Sequence, residues 1–478
     1  MKFSYLIVFL LIVNHIHSQT FEEINEGVFV GVNYPSIAIA NINPETTNDN
    51  EILITGGNNT GRVANIYAQD TNGDYYDATG VGSFIDAINS QAKVIFGDVD
   101  SDGDEDLLVT SEETKLYIND GFGVFTEITS PIANVTQGAI AFFDIDNDND
   151  LDLLVTGYDQ DTSNDLASVL YTNDGDGNFV EVTGTPFENV ANSTISYADI
   201  DNDNDLDVLI TGTTSSNQQS AKLYTNNGVG VFAEVAGTIF EEVSKGSTAF
   251  VDIDNDGDED VFISGRDWQN QVIGKLYANN GSGVFSEIEN TGIAGVQESA
   301  IAFADVDGDT DFDLMITGLE NNQSSRLYVN DGAGIFTEVE GLPFDYFTRS
   351  ALAFRDFDND NDLDLIIAGY SATDGTFKTK LYENTTVLGI VDFEDITNVF
   401  VYPNPMQEEI TISISEDLLA TTSQLDFVLY DLLGSEVKTI RNISKKVRVN
   451  IQELKSGLYF YEIISSEKRI RSGKLIKK

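Results

Sequence analysis

The 478-residue chain has no cysteine, and its only two histidines, His15 and His17, lie close to its start. Disulfide staples and cysteine-borne lipid anchors are therefore excluded. The first 18 residues read as a secretory signal: Lys2, an apolar core at 3-FSYLIVFLLIV-13, and a cleavage point after Ser18. That core is the longest apolar run and falls short of the ~20 residues a membrane span needs. If the segment is removed, the mature chain has neither His nor Cys. Ser-His-Asp and Cys-His nucleophiles and the usual zinc sites drop out with them. The expectation is a non-enzymatic protein, since catalysis would have to rest on carboxylates, Tyr, Lys, Arg or a bound metal.

Positive charge is also scarce. The chain has 25 Lys and Arg against 80 Asp and Glu, a formal charge of −55. Within residues 19–390 the count is 12 against 67, a balance of −55, whereas residues 391–478 hold 12 against 13, a balance of −1. That break near residue 390 marks a domain boundary. The acidic body would repel nucleic acid and anionic membranes and attract cations.

What the chain has in abundance is one acidic unit, 144-DIDNDNDLDLLVTG-157, repeated at 98, 199, 252, 305 and 356. The starts are spaced by 46, 55, 53, 53 and 51 residues. Each unit carries a second signature such as 276-LYANNGSGVFSEI-288, two β-prone runs around an Asn/Gly turn. With a small-residue strand before the acidic loop and LLVTG after it, each unit contains four short strands, the pattern of a β-propeller blade. A worn copy at 37-IAIANINPETTNDNEILITGG-57 has lost most aspartates and is assigned no metal. The fold class read from the sequence is thus all-β: a seven-bladed β-propeller with calcium-binding loops over residues 19–384. The last unit stops at 381-LYEN-384, and 21-FEEI-24 supplies the strand it lacks, which would close the ring.

Alternating carboxylates around a bend can converge their oxygens on one hard cation, and Ca²⁺ takes 6–8 such ligands. Loop positions 1, 3, 5 and 9 are the candidate metal ligands. They are Asp98, Asp100, Asp102 and Asp106; Asp144, Asp146, Asp148 and Asp152; Asp199, Asp201, Asp203 and Asp207; Asp252, Asp254, Asp256 and Asp260; Asp305, Asp307, Asp309 and Asp313; and Asp356, Asp358, Asp360 and Asp364. Position 7 is expected to offer its backbone carbonyl. Position 6 is Gly or Asn in five loops, as a left-handed turn prefers, but Thr310 in the loop at 305. About six structural Ca²⁺ ions are expected, since a site repeated around a ring is more readily a joint than a catalytic centre.

These units resemble the FG-GAP/VCBS repeats of integrin-alpha-like propellers, whose DxDxDGxxD-type loops bind calcium. The resemblance implies that the loops lie on one face and that recognition falls to the opposite one. The tail resembles a type IX secretion sorting domain of Bacteroidetes in five ordered blocks: 401-VYPNP-405, 410-ITISIS-415, 427-FVLYDLLGSEV-437, 451-IQELKSGLYFYEI-463 and 473-GKLIKK-478. It implies a small β-sandwich over 397–478 that engages the type IX machinery, a linker at 385–396, and a secreted or cell-surface location. The function expected is binding or adhesion toward a glycan or a surface protein. Trp268, the only tryptophan, with Arg266 and Asp267 beside it, is the first ligand-binding candidate; Arg349 follows, then Tyr158, Tyr346 and Tyr370. A polysaccharide lyase or hydrolase and a structural matrix component remain the alternatives.

Overall fold

The computed structural model describes residues 20–43, 50–78, 91–162, 165–320, 323–386, 399–402, 406, 408–414, 425–431, 436–465 and 469–478. The signal segment and all of the linker except Thr385 and Thr386 lie outside these. Two compact units emerge, Met1–Thr386 and Val387–Lys478. Among the described residues there is no helix.

The described residues of the first unit form seven antiparallel sheets, six with four strands and one with five. Each runs in sequence order from its first strand outward, as in Val190–Ala198, Asp207–Thr214, Gln219–Thr225 and Ala233–Glu234. The last sheet is the exception. Phe21–Ile24 forms its outermost strand, antiparallel to Thr376–Asn384, with Phe21 opposite Asn384 and Ile24 opposite Leu381. The chain start thereby covers an edge that would otherwise offer unpaired backbone groups.

Sheet packs on sheet through shared apolar clusters. Leu154 and Leu170 of one sheet meet Val208, Ile210 and Tyr224 of the next. Ile52 and Ile54 of the first sheet meet Ile366, Ala368 and Leu381 of the last, so the series returns on itself. Because neighbours cover both faces of each sheet, the second strand is apolar without alternation. In Asp152–Asp159 the first six residues are all buried, the pattern of a strand buried on both sides. The Gly ending that run is required: Gly157 has φ of 143°, and a Cβ there would lie 2.7 Å from the Thr136 carbonyl oxygen.

The repeated Leu-Tyr pair has a joint role. The tyrosines at 67, 171, 224, 277, 328 and 382 are buried, and each hydroxyl accepts a backbone N–H from the segment leading into its own sheet. The Ala133 N–H lies 2.9 Å from the Tyr171 hydroxyl and the Glu188 N–H 3.0 Å from that of Tyr224. Each tyrosine fills core volume and fixes the crossing strand at once.

The second unit holds a three-stranded sheet (Val399–Tyr402, Glu409–Ile414, Lys446–Asn450) and a four-stranded one (Glu436–Ile440, Leu425–Tyr430, Gly457–Ser465, Arg469–Lys477). Both contribute to one core, where Ile412 and Val449 pack with Phe427 and Ile463.

Candidate metal loops and the girdle that joins them

Each acidic loop follows the innermost strand of its sheet and is folded by its own aspartates. The position 1 carboxylate accepts backbone N–H groups across the bend, as Asp144 does from Asn147 at 2.7 Å and Asn149 at 2.9 Å. Positions 4 and 6 are left-handed in all six loops. In the loop at 144 they are Asn147 and Asn149, with φ of 63° and 73°; Thr310 adopts the same conformation at 81° despite its branched side chain.

The fold brings positions 1, 3 and 9 together. Oxygens of Asp98, Asp100 and Asp106 lie within 4.8 Å of one another, as do those of Asp144, Asp146 and Asp152, of Asp252, Asp254 and Asp260, and of Asp305, Asp307 and Asp313. At 199 the grouped residues are Asp199, Asp201 and Asp203. Position 5 elsewhere is exposed, and its carboxylate bonds within the loop, as Asp148 does to the Asp150 N–H at 3.0 Å. Asp360 does the same with Asp362.

The donor set fits a hard cation. Position 9 is buried, and burial pushes its carboxyl up to about 7 in Asp106 and Asp207, about 6 in Asp152, Asp260 and Asp364, and about 8 in Asp313. Burial, and then neighbouring carboxylates, raise position 3 in Asp100, Asp146, Asp201, Asp254 and Asp358. Most tellingly, Oδ1 of Asp100, Asp146 and Asp201 is buried without a hydrogen-bond partner. A buried, unpartnered carboxylate oxygen held beside two further carboxylates is a place that could hold a cation, which would neutralise their mutual repulsion.

Position 9 also anchors the Asn that ties neighbouring sheets together, which the sequence reading did not foresee. Asp152 Oδ2 accepts the Ile145 N–H at 3.0 Å, and Asp152 Oδ1 accepts the Asn173 N–H at 2.8 Å. Asn173 is the Asn of the LYxN signature, and its Nδ2 donates to the Val99 carbonyl, position 2 of the preceding loop, at 2.7 Å. The same staple runs from Asn119 to Ile42, Asn226 to Ile145, Asn279 to Ile200, Asn330 to Ile253 and Asn384 to Val306. In the worn first unit Gln69 replaces Asn and donates to the Phe357 carbonyl at 2.6 Å, so the seventh joint closes as well. There Glu51 stands in for the position 9 aspartate, accepting the Ile42 N–H and the Asn43 amide. Position 7, whose backbone carbonyl was the expected ligand, also uses its side chain: Asp205 accepts Asn147 Nδ2 at 2.8 Å, and Asp311 accepts Asn255 Nδ2 at 2.6 Å. The acidic loops form one continuous hydrogen-bonded girdle.

Comparison with known proteins identifies both parts. A model of FG-GAP-like repeats matches residues 98–155, 199–263, 252–316 and 305–367, and a model of the secretion system C-terminal sorting domain matches residues 400–478. The chain joins FG-GAP-like repeats to a type IX sorting tail. That tail marks the repeat protein as secreted or cell-surface, and among the described residues no helix is long and apolar enough to cross a membrane. No curated protein matches the chain. Three solved structures show distant similarity. The extracellular domain of a B. thetaiotaomicron protein classed as a hybrid two component system is 9% identical, with a TM-score of 0.45 over 96% of this chain and 57% of that one. PorZ, a surface component of the type-IX secretion system of Porphyromonas gingivalis, is 13% identical, with a TM-score of 0.41 over 94% and 59%. The alpha-L-arabinanase of Penicillium chrysogenum is 10% identical, with a TM-score of 0.38 over 78% and 99%. The repeat protein therefore spans less than two-thirds of the length of the first two.

The ligand-binding candidates fall in different places. Trp268 is 68% exposed at the tip of the hairpin joining Asp260–Arg266 to Val272–Ala278. Asp267 is buried, and its carboxylate accepts the Gln271 N–H at 2.7 Å, closing that turn. Arg266 has a buried Nε without a partner. Arg349 belongs elsewhere, at the mouth of a pocket on the axis of the sheets, where it pairs with Glu298 at 2.9 Å. Tyr346 is exposed, Tyr370 packs its ring on Phe377, and Tyr158 lies in a strand opposite Thr136.

Proposed function

We propose that residues 20–386 form a seven-bladed propeller, stabilised by about six Ca²⁺ ions in the acidic loops, that acts outside the cell as a binding module for a glycan or protein ligand. The observation that carries this reading is the contrast between the two ends of the ring. After the innermost strands stand repeated carboxylates and repeated staples; before those strands stand side chains that differ from sheet to sheet. Repetition suits a joint, and variation suits recognition. In the loop at 144 the ion would be held by Asp144, Asp146 and Asp152, with corresponding residues in the other loops. Bound there, it would neutralise the converging charges and so strengthen the girdle. No residue is assigned a catalytic role, and the reading is non-enzymatic.

A glycan and surface-protein binding screen of the full chain, with and without a calcium chelator and with product analysis, tests it. Saturable binding without turnover, together with loss of thermal stability on chelation, is the expected result. Turnover of a polysaccharide would replace the binding role with an enzymatic one, and a melting curve indifferent to chelator would remove calcium.

A further inference from the structure

The axial pocket, about 220 Å³ in volume, opens at the end of the ring opposite the acidic loops. Its rim is built by one residue from each of six sheets, at the same register. Tyr34, Gln137, Asn192, Lys245, Glu298 and Arg349 have φ of 51°, 52°, 48°, 54°, 48° and 49°. This left-handed conformation costs a non-glycine residue about 1–2 kcal/mol, so glycine would be the cheap choice at each position, yet all six carry long or polar side chains. The strain is locked in by bonds between sheets: the Asn192 N–H donates to the Gln137 carbonyl at 2.6 Å, Lys245 to Asn192 at 3.0 Å, and Glu298 to Lys245 at 2.6 Å. Strain held by the surrounding fold at a concave site points to function.

Below the rim sits Lys93. Pairing opposite Thr110, it occupies the register that Ser36, Thr194, Ala300 and Ala351 occupy opposite Thr55, Thr211, Thr317 and Ala368, so a long cation stands where those sheets place a small residue. Among the described residues Lys93 and Lys245 hold no ion pair, whereas Lys115, Lys222, Lys275, Arg326, Lys378 and Lys380 are all paired with carboxylates. Two unpaired basic groups in one pocket of so acidic a body draw an anion: burial pushes the Lys93 ammonium below its ordinary pKa, and an anionic partner would restore its charge. Arg349 adds a third. Its Nε is committed to Glu298, its guanidinium lies 5.1 Å from the Tyr34 ring centre, and its two Nη groups make no bond among the described residues. A planar fork so braced matches a carboxylate. The Gln137 and Asn192 amides offer the donors and acceptors that sugar hydroxyls require, and the hydroxyls of Ser193 and Ser350, bonded to those of Thr156 and Thr317 at 2.8 Å, keep acceptor capacity beside them.

We propose that the axial pocket binds one carboxylate-bearing sugar unit of an acidic glycan, with Lys93, Lys245 and the Arg349 fork meeting the carboxylate. The volume suits a single ring, lying below the ~300–1,000 Å³ of sites for larger ligands. This inference rests on the binding role proposed above and names its ligand class and its site.

Calorimetry of the full chain in calcium tests it, with glucuronate, glucose and inorganic sulfate as probes. Glucuronate should bind saturably, and glucose and sulfate each about tenfold more weakly or worse. Lys93→Met should weaken glucuronate about tenfold with an unchanged melting temperature. Lys245→Ala, at the exposed rim where folding is not at stake, should weaken it severalfold. No glucuronate binding, affinity unchanged in both variants, or sulfate binding as tightly as glucuronate would each overturn the proposal. A neutral glycan or a protein that binds while glucuronate does not would sink the acidic-sugar site alone; failure of every ligand would sink the binding role with it.

Discussion

Asn226→Ala tests whether the staples of the girdle carry stability. Asn226 is 7% exposed; its Nδ2 donates to the Ile145 carbonyl of the preceding sheet at 2.7 Å, and its Oδ1 accepts the Asn227 N–H at 2.8 Å. Alanine keeps the backbone bond to Asp207 and loses both side-chain bonds. The Ile145 carbonyl still accepts the Gly230 N–H at 3.1 Å, so it is not orphaned. At about 1 kcal/mol for each lost bond, the cost is about 2 kcal/mol. Asn226→Asp keeps the shape but removes the donor and places a buried charge against a carbonyl and beside Asp207, which raises the cost to roughly 4 kcal/mol. Val229→Ala, exposed on the adjoining turn, should change stability by less than ~0.5 kcal/mol. Urea titration followed by circular dichroism in excess calcium measures all three, with the transition first checked for a single cooperative step. An alanine midpoint indistinguishable from that of the parent, or Asp tolerated as well as Ala, would refute the idea that the staples join the sheets.

Three other outcomes are expected. In chelator the position 9 carboxyls have folded pKa values raised from 3.8 to about 6–8. The folded state therefore binds more protons than the unfolded one between about pH 4 and pH 8, and lowering the pH from about 8 to about 5 should stabilise the metal-free chain by on the order of 10 kcal/mol. In calcium the dependence should reverse, because the ion needs ionised ligands; melting curves that shift the same way in both conditions would count against the sites. Thr310→Asn replaces a branched residue at φ of 81° with the type found at 149, 204 and 361, where φ is 73°, 70° and 74°; a gain of about 0.5–1 kcal/mol is expected, and an unchanged or lowered midpoint would show that no strain is stored there. Gln69→Ala breaks the joint between first and last sheets and should speed hydrogen exchange at Ile52–Ile54 and Leu365–Ile367 before other sheets, whereas uniform exchange would mean the seventh joint is no weak point.

Much of the architecture was legible because it repeats. A motif such as 144-DIDNDNDLDLLVTG-157 encodes an innermost strand's end, a carboxylate turn and a buried strand in one stretch, and its copies set the count of sheets. The missing strand at 381-LYEN-384 pointed to Phe21, and the register places Phe21 opposite Asn384. The staples were hidden because their partners lie far apart in the chain, with Asn226 and Ile145 81 residues from one another; an invariant Asn in LYxN was visible, but its acceptor was not. The axial rim was harder still. Its residues share a backbone conformation and a register but no side-chain chemistry, so a search for repeated motifs discards them; aligning the residues just before each small-residue strand would have exposed Tyr34, Gln137, Asn192, Lys245 and Glu298 beside Arg349. Trp268 attracted notice by rarity alone, and the side chains that gather at the axis are common ones.

The strand borrowed from the chain start sets the order of assembly. The Thr20 N–H donates to the Thr386 hydroxyl, 366 residues away, and the Thr385 N–H to the Thr20 carbonyl, so the final edge is sealed only when both ends of the body are present. Closing a loop of that length costs roughly 5 kcal/mol in chain entropy, repaid only at the last step. Individual sheets draw on contacts within about 50 residues and can form early, whereas the ring is a slow, non-local event. A chain halted before residue 376 would hold folded sheets and one bare edge, and would be prone to pair with another chain in its place.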